Sequence, residues 1–170
     1  GILFVGMTTM ETTLAPLKDS EQFQRIFFLF KNPLLGVAVG ALITAILQSS
    51  SASVGVLQAI SSTGTVTFSM AAPIIMGQNI GKCVTVLIAS IGTSKKAKRA
   101  VYIDLIVNML GAAFFLIVVY GYQALVGFPF WDDVVNRGNI ADFHSLFNIV
   151  TCVLVFPFTN QLIQFSRHLV

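Results

Sequence analysis

The chain has 170 residues, of which 55% are hydrophobic and 10% are charged, with a formal net charge of +3. This composition, with a mean hydropathy of +0.84, excludes an ordinary soluble domain and indicates an integral membrane protein. Apolar runs of about 20 residues recur without the strict alternation of a membrane β-barrel, so an all-α polytopic helical bundle is predicted. The basic residues Lys95, Lys96, Lys98 and Arg99 lie between two hydrophobic segments. Such a run is typical of a cytoplasmic loop and not of a nucleic-acid-binding patch.

The first part of the chain leads into the membrane segments. Residues 1–17 are predicted to be the tail of a membrane helix or a short buried helix, whose beginning is expected to precede Gly1. Residues 18–32 are predicted to form an interfacial amphipathic helix, because four apolar side chains recur at helical spacing. These are Phe23, Ile26, Phe27 and Phe30.

A polar stretch, Gln48-Ser49-Ser50-Ser51, lies in the middle of the apolar residues 33–60. Polar groups at membrane depth are costly unless they face protein, water or a ligand. The segment is long enough to cross the membrane once with tilt, yet its polar centre also suits a re-entrant hairpin whose arms meet at these residues. The residues alone leave both alternatives open. If one helix continues through, Thr44, Gln48 and Ser51 share a face.

A second polar interruption, Gly77-Gln78-Asn79-Ile80-Gly81, lies within the next apolar segment, residues 68–91. Glycines four residues apart permit unwinding, so this membrane helix is predicted to be broken here. The break would expose the amino end of a half-helix that starts near Lys82, a device with which transporters bind ions at mid-membrane. The earlier glycine pair, Gly36 and Gly40, is a spacing that allows close helix approach.

Two further spans are predicted, at residues 100–124 and 143–165. They are joined by a polar connection, residues 127–141, which lacks a basic excess and therefore suits the outer side. The two spans echo each other, because each carries an ionisable residue four positions before an asparagine. These pairs are Asp104 with Asn108 and His144 with Asn148. The asparagines are interpreted as interhelical hydrogen-bonding groups.

Four stretches carry a resemblance to a known family. They are Asn32-Pro33-Leu34-Leu35-Gly36, residues 40–52 with their Gln-Ser-Ser-Ser motif, Gly77-Gln78-Asn79-Ile80-Gly81, and His144-Ser145-Leu146-Phe147-Asn148. In this order and spacing they resemble one repeat of the type II sodium-phosphate cotransporter family, in its bacterial branch. The resemblance extends over nearly all of residues 1–170, which would form a single repeat unit, and by its linking residues the second one.

The resemblance implies half of an inverted-repeat transporter in which two repeats each contribute a Gln-Ser-Ser-Ser hairpin to a shared site for phosphate and sodium. Residues 33–60 would then be a re-entrant helical hairpin. A first repeat, or a second copy of the chain in a homodimer, would complete the site. The resemblance also implies a location in the lipid bilayer of the plasma membrane, which in a bacterium is the inner membrane.

The function that the resemblance implies is secondary active transport of inorganic phosphate by alternating access, coupled to Na+. Phosphate would bind to the hydroxyl groups of Ser49, Ser50 and Ser51 and to Lys82. Na+ would bind to oxygen atoms of five residues, which are Gln48, Ser50, Gln78, Asn79 and Thr44. The sequence has no convincing nucleophile and base pair, metal-ligand cluster or nucleotide-binding loop, so no enzyme activity and no cofactor are predicted.

The sequence departs from the family at Lys82 and Cys83, where the family usually has two threonines. An ammonium disfavours a neighbouring Na+ and favours a phosphate anion. The hypothesis is therefore that Lys82 replaces one coupling ion, and a Na+-independent anion transporter is the alternative function. An ion channel, a serine hydrolase that uses His144, and a structural repeat unit that is inactive without its partner also stay open.

Overall fold

The computed structural model describes residues 1–16, 20–22 and 29–169. Its regular secondary structure is helical throughout this part of the chain. The helices are α1 (Ile2–Leu14), α2 (Pro33–Leu47), α3 (Ser50–Ser61), α4 (Phe68–Ala89), α5 (Lys95–Leu125), α6 (Arg137–Val155), a 3-10 turn (Phe156–Phe158) and α7 (Thr159–Leu169).

Among the described residues, three stretches are long and apolar enough to cross a membrane. They are Phe68–Ala89, Lys95–Leu125 and Arg137–Leu169. Many of their large apolar side chains are exposed on the isolated chain, including Ile117 at 73% and Val153 at 66%. Such side chains suit lipid or further protein as surroundings, so the prediction of an all-helical membrane protein is confirmed.

The first arm of the Gln-Ser-Ser-Ser region, α2, begins where the sequence offers a complete start signal. The side-chain Oδ1 of Asn32 accepts hydrogen bonds from the backbone N–H groups of Leu34 at 3.1 Å and Leu35 at 3.2 Å. Pro33 occupies the first helical position, where its missing N–H leaves no helical bond unmade. The start of α2 is therefore fixed locally.

The helix does not continue through the polar motif. Gln48 ends α2 in the left-handed backbone conformation, with φ 55° and ψ 21°. Ser49 then caps α3, because its side-chain oxygen accepts a hydrogen bond from the backbone N–H of Ala52 at 3.2 Å. Residues 33–60 are thus two helices joined by a tight turn, and the reading as one continuous helix is wrong.

The prediction of a broken helix at residues 77–81 is also wrong, since α4 is continuous through them. The glycines here allow close packing against α2. A Cβ atom on Gly77 would overlap the backbone carbonyl oxygen of Val37, and one on Gly81 would overlap that of Ala41. Two glycine pairs on facing helices therefore bring the backbones together, which confirms the close approach expected for Gly36 and Gly40.

The contacts between α2 and α4 give the direction of the helices. A Cβ on Gly36 would lie 2.8 Å from Pro73, and one on Gly81 would lie 2.8 Å from Thr44, so the two helices run parallel. The hairpin partner, α3, runs back along α4. Ser53, near its start, contacts Gln78, and its last residue is Ser61, which a short connection joins to the start of α4. The helices α2 and α3 are therefore antiparallel.

The connection between α5 and α6 covers the start of α4. Thr67 pairs with Val134 in an isolated antiparallel bridge, and the backbone N–H of Phe68 donates to the carbonyl of Asp133 at 3.0 Å. The Phe68 ring lies within 6.3 Å, centroid to centroid, of four other aromatic rings. These are Phe128, Phe130, Trp131 and Phe143. This aromatic cluster fixes one end of the bundle.

Two predicted boundaries differ from the structure at the ends of the late spans. Helix α6 begins at Arg137 and not near 143, because Asn136 and Asn139 form a reciprocal capping box. The basic run is the first turn of α5 and not a loop, because Ser94 accepts from the N–H of Ala97 at 3.4 Å and lysine favours helix.

The predicted amphipathic helix lies largely outside the described residues, as do Phe23, Ile26 and Phe27. Phe30, its last apolar residue, is buried in the hydrophobic core. In α1, most side chains are exposed, and Glu11 forms an ion pair with Arg137 at the start of α6. On the isolated chain α1 is thus a short, largely exposed helix, and its interpretation as the tail of a membrane helix or a short buried helix stays a prediction.

Candidate functional site

The turn between α2 and α3 presents the polar motif at the surface of the chain. Gln48 and Ser51 are exposed, and Ser49 and Ser50 are partly exposed. The hydroxyl oxygens of Ser49 and Ser51 lie 3.2 Å apart, within hydrogen-bonding distance. The structure therefore brings all four predicted motif residues to one tip.

The same tip is the amino end of α3, which starts at Ser50. The first N–H groups of a helix have no partner within the helix, and they carry the positive end of its dipole. Hydroxyl donors and helix N–H groups thus converge where an anion is favoured. The half-helix end that was expected near Lys82 is found here instead.

Below the tip lies a buried polar neck, which we define as Thr44, Ser53 and Gln78. Thr44 and Ser53 are both fully buried, and the hydroxyl of Thr44 donates to the hydroxyl of Ser53 at 2.8 Å. The side-chain amide of Gln78 donates to the backbone carbonyl of Ser53 at 3.0 Å. These bonds tie α2, α3 and α4 together.

The neck contains one unsatisfied acceptor. The Oε1 atom of Gln78 is buried and receives no hydrogen bond from the described residues, while the residue as a whole is 1% exposed. Buried polar oxygens normally have a partner, so an unpartnered one needs an explanation. Carboxamide and hydroxyl oxygens are the kind of ligands that hard cations such as Na+ bind. Gln78 and Thr44, both predicted as ion ligands, therefore meet here.

The hydrogen bond of Asn79 does not connect it to the residues of the neck. It is buried, and its side-chain amide donates to the backbone carbonyl of Ile75 in the same helix at 3.0 Å. Neighbouring residues point about 100° apart around a helix. The structure therefore separates the two adjacent carboxamides that were predicted to act together.

Lys82 lies one helical turn after Gln78 and so projects from a similar face of α4. Gln78 reaches α3, which places Lys82 on the side of α4 that faces the hairpin. The side chain is partly exposed. Helical spacing thus places Lys82 on the same side of α4 as Gln78, one turn beyond the neck.

Ser53 is the residue that sequence reasoning missed. It follows the motif by two positions, and both its hydroxyl and its carbonyl bond to predicted ion ligands. The available signal was its position four residues after Ser49, on the same helical face. That spacing becomes informative only once α3 is known to begin at the motif.

His144 was the residue that a hydrolase would need. In the described part of the chain, its ring does not bond to a serine of the motif, and its Nε2 lies 3.3 Å from the side-chain nitrogen of Asn148. That nitrogen also donates to the backbone carbonyl of His144 at 2.8 Å. These bonds lie within α6, so the interpretation of Asn148 as an interhelical hydrogen-bonding group is wrong for the described part of the chain.

The sequence was compared with known proteins. The model of a family described as Na+/Pi-cotransporter matches residues 2–130. An uncharacterised protein of Bacillus subtilis, YqeW, is 34% identical over 122 residues, which are 72% of this chain and 39% of the relative. The putative inorganic phosphate export protein YjbB of Escherichia coli K12 is 22% identical over 171 residues, which cover this whole chain and 31% of the relative.

A human relative, sodium-dependent phosphate transport protein 2B, is 37% identical over 86 residues, which are 49% of this chain and 12% of that protein. The chain spans less than two fifths of these relatives. No solved structure matches. The family match covers most of the chain and includes the tip, the neck and Lys82. The chain therefore belongs to the Na+/Pi-cotransporter family, whose members are transporters and not enzymes.

Proposed function

We propose that this chain is one repeat, the second, of a transporter that carries inorganic phosphate across the plasma membrane by alternating access, with Na+ as the coupling ion. The observation that carries the proposal is the tip. Its serine hydroxyls and the amino end of α3 lie together at one exposed point above a buried neck, and Lys82 would reach toward them from α4. The phosphate-transport names of relatives agree with an anion at this point.

The proposed hairpin is re-entrant. Its first arm starts beside Pro73, and its second arm ends next to the start of α4, so both outer ends lie at the same end of α4. The basic residues at the start of α5 follow the opposite end of α4. By the positive-inside rule that end is cytoplasmic, so the hairpin enters from the outer side. Its tip then lies within the membrane, where a polar motif needs a ligand or a partner.

At the tip, Ser49, Ser50 and Ser51 would donate hydroxyl hydrogens to phosphate oxygens. Lys82 would supply a positive charge, which strengthens hydrogen-bonded anion recognition. The side-chain carboxamide of Gln48 would face the same space, with its oxygen available to Na+ and its NH2 group to phosphate. In this arrangement no covalent step occurs, and the site only has to bind and release the anion.

Na+ would bind in the neck, where Oε1 of Gln78 has no hydrogen-bond partner among the described residues and the hydroxyls of Thr44 and Ser53 bond to each other. A cation there would lie directly below the anion, so each would favour the other electrostatically. Lys82 opposes this arrangement by placing a fixed cation nearby. We therefore keep Na+-independent anion transport as the second candidate, which Lys82 specifically favours.

The site would be completed by a second Gln-Ser-Ser-Ser hairpin, from another part of a longer protein or from a second copy of this chain. The tip supports this because it is exposed on the isolated chain. Transporters of this architecture form their sites between two repeats at mid-membrane. One repeat alone would then bind phosphate weakly.

Uptake of labelled phosphate into liposomes, with and without a Na+ gradient, tests the proposal on the complete protein. Ser50→Ala should lower uptake at least tenfold, since a hydrogen bond to a charged group contributes roughly 1.5–3 kcal/mol. Ser62→Ala, at the far end of the same arm, is the matched control and should leave uptake unchanged. No phosphate flux by the complete protein under either condition would remove the proposal.

Lys82→Thr tests the choice between the two candidates. It restores the hydroxyl of the family pattern and removes the fixed cation. If Lys82 replaces a coupling ion, phosphate uptake by this variant should depend more steeply on the Na+ concentration than uptake by the wild type. An unchanged Na+ dependence would show that Lys82 does not take the place of a cation.

A further inference from the structure

A second polar cluster lies between α4 and α5, away from the tip. The thiol of Cys83, which is fully buried, donates to Oδ2 of Asp104 at 3.2 Å. The side-chain amide of Asn108 donates to Oδ1 of Asp104 at 3.1 Å and to its backbone carbonyl at 2.8 Å. Both carboxylate oxygens are therefore held in place, and the proposed phosphate and Na+ sites use none of these residues.

Asp104 lies inside a stretch that is long and apolar enough to cross a membrane, Lys95–Leu125. An ionisable group at such a position is costly and normally pairs with an opposite charge or faces a polar cavity. Hydrogen bonds from a thiol and an amide fix the side chain but do not neutralise a negative charge. A positively charged partner near the carboxylate would therefore reduce this energetic cost.

Lys82 is a basic residue that adjoins this cluster in the sequence. It directly precedes Cys83, the residue that touches Asp104. Lys82 forms no ion pair with a described residue and is partly exposed. Its long stem can turn either toward α3 or toward α5, because position 82 lies between the α3-facing position 78 and the α5-facing position 83 around the helix.

We propose that Asp104 and the transported phosphate compete for Lys82: the ammonium, which forms no ion pair with a described residue in this structure, turns to Asp104 when phosphate leaves, and the next anion takes the place of Asp104. This inference rests on the proposed function and adds a residue to it. The ammonium alternates between two anions, one fixed in α5 and one transported. Competition by Asp104 weakens phosphate binding, and by recapturing Lys82 it promotes release of the anion.

The test is a double-mutant cycle in the complete protein, with the phosphate concentration for half-maximal uptake and the maximal rate as readouts. Asp104→Asn keeps the shape and one of the two acceptor oxygens but removes the charge. It should lower the half-saturating concentration roughly tenfold, as expected for one partly screened charge pair, and should also lower the maximal rate. In the Lys82→Thr background, Asp104→Asn should change the half-saturating concentration less than twofold.

Two controls separate charge from local structure. Cys83→Ala removes a hydrogen bond to Asp104 but no charge, and it should shift half-saturation less than Asp104→Asn does. Asp133→Asn makes the same chemical change at an exposed carboxylate in the connection before α6, and it should have no effect. Equal effects of Asp104→Asn in both backgrounds, or weaker phosphate binding by Asp104→Asn, would overturn the pairing.

Lys98 is the rival partner, since it lies on α5 six residues before Asp104. If the effect of Asp104→Asn persisted with Lys82→Thr and vanished with Lys98→Gln, the proposal would be wrong. Should Asp104→Asn fail to fold, the pairing predicts that Lys82→Thr restores folding, because no unpaired ammonium is left. Absence of that rescue would count against the pair. Wild-type protein that carries no phosphate would instead remove the proposed function itself.

Discussion

Residues 48–51 and residues 77–81 look alike in the sequence, since each is a polar interruption of an apolar segment flanked by glycines. Only the first interrupts the helix. Gln48 turns the chain sharply, whereas α4 runs unbroken past Gln78. The difference lies in what faces each stretch: the first is exposed, and the second is pressed against the backbone of α2. Glycine beside polar residues therefore indicates close packing as readily as unwinding.

The largest effect is expected from adding a methyl group to the tight contact. Gly77→Ala places a Cβ onto the carbonyl oxygen of Val37, which is backbone and cannot rotate away. We expect a loss of about 3 kcal/mol in stability, the upper range for overpacking. Gly55→Ala, in the hairpin arm α3, is the control. Its added Cβ would meet only Met10, at 3.9 Å, and the change should gain up to about 1 kcal/mol. Melting temperatures in detergent measure both changes in stability. Equal melting temperatures of the Gly77→Ala and Gly55→Ala variants would contradict the packing role of Gly77.

A smaller effect, the loss of stabilisation by Na+, is expected from Gln78→Leu. This variant tests whether residues 77–81 bind an ion although the helix does not unwind there. If Na+ binds the neck, then Na+ at a hundred times its dissociation constant should stabilise the wild type by about 2.7 kcal/mol. The leucine variant, which lacks the free Oε1, should lose this gain. Melting curves in NaCl and in choline chloride provide the measurement. Gln58→Leu removes a carboxamide from the base of the same hairpin, and its response to Na+ should equal that of the wild type.

Removing the cap that follows the turn should cost less. Ser49→Ala removes the acceptor for the N–H of Ala52, a loss of about 1 kcal/mol. Ser94→Ala removes the equivalent cap of α5 and should cost a similar amount. Only the first should also lower phosphate uptake, because only Ser49 lies at the tip. Loss of uptake in both variants would mean that capping, and not phosphate contact, explains the effect.

The smallest effect on stability should accompany a large effect on function. Gln48 holds a left-handed conformation that glycine adopts without strain. Gln48→Gly should therefore leave stability unchanged or raise it by up to about 1 kcal/mol. If the side-chain carboxamide of Gln48 binds the ion or the phosphate, phosphate uptake should nevertheless fall, because glycine lacks this group. Unchanged uptake would leave Gln48 with only the turn as its role.

Sequence reasoning anticipated the parts of the fold that local chemistry determines. The start of α2 follows from Asn32 and Pro33, and the polar motif marked the hairpin tip as one of two alternatives. The start of α6 was missed because the capping pair Asn136 and Asn139 lies in a polar stretch that is also typical of a connection. Local signals compete there, and only the tertiary context decides between them.

The site was only partly predictable, for a similar reason. The residues of the motif form one tip because they are adjacent in sequence. The bonds of Ser53 to Thr44 and Gln78 depend on how three helices pack, and no spacing within one helix reveals them. The separation of Asn79 from Gln78 likewise follows from which face of α4 meets α3.

The glycine contact between α2 and α4 also limits how this protein can move. Two backbones that touch at three glycines, Gly40, Gly77 and Gly81, cannot slide past each other without lifting apart, so the first arm of the hairpin and α4 must travel as one rigid body. Movement that opens the site would therefore have to occur on the side of the tip that faces away from α2 and α4. Any opening of the site should proceed as a rocking of this body against α5, α6 and whatever covers the tip, while the distance between Gly40 and Gly77 stays constant.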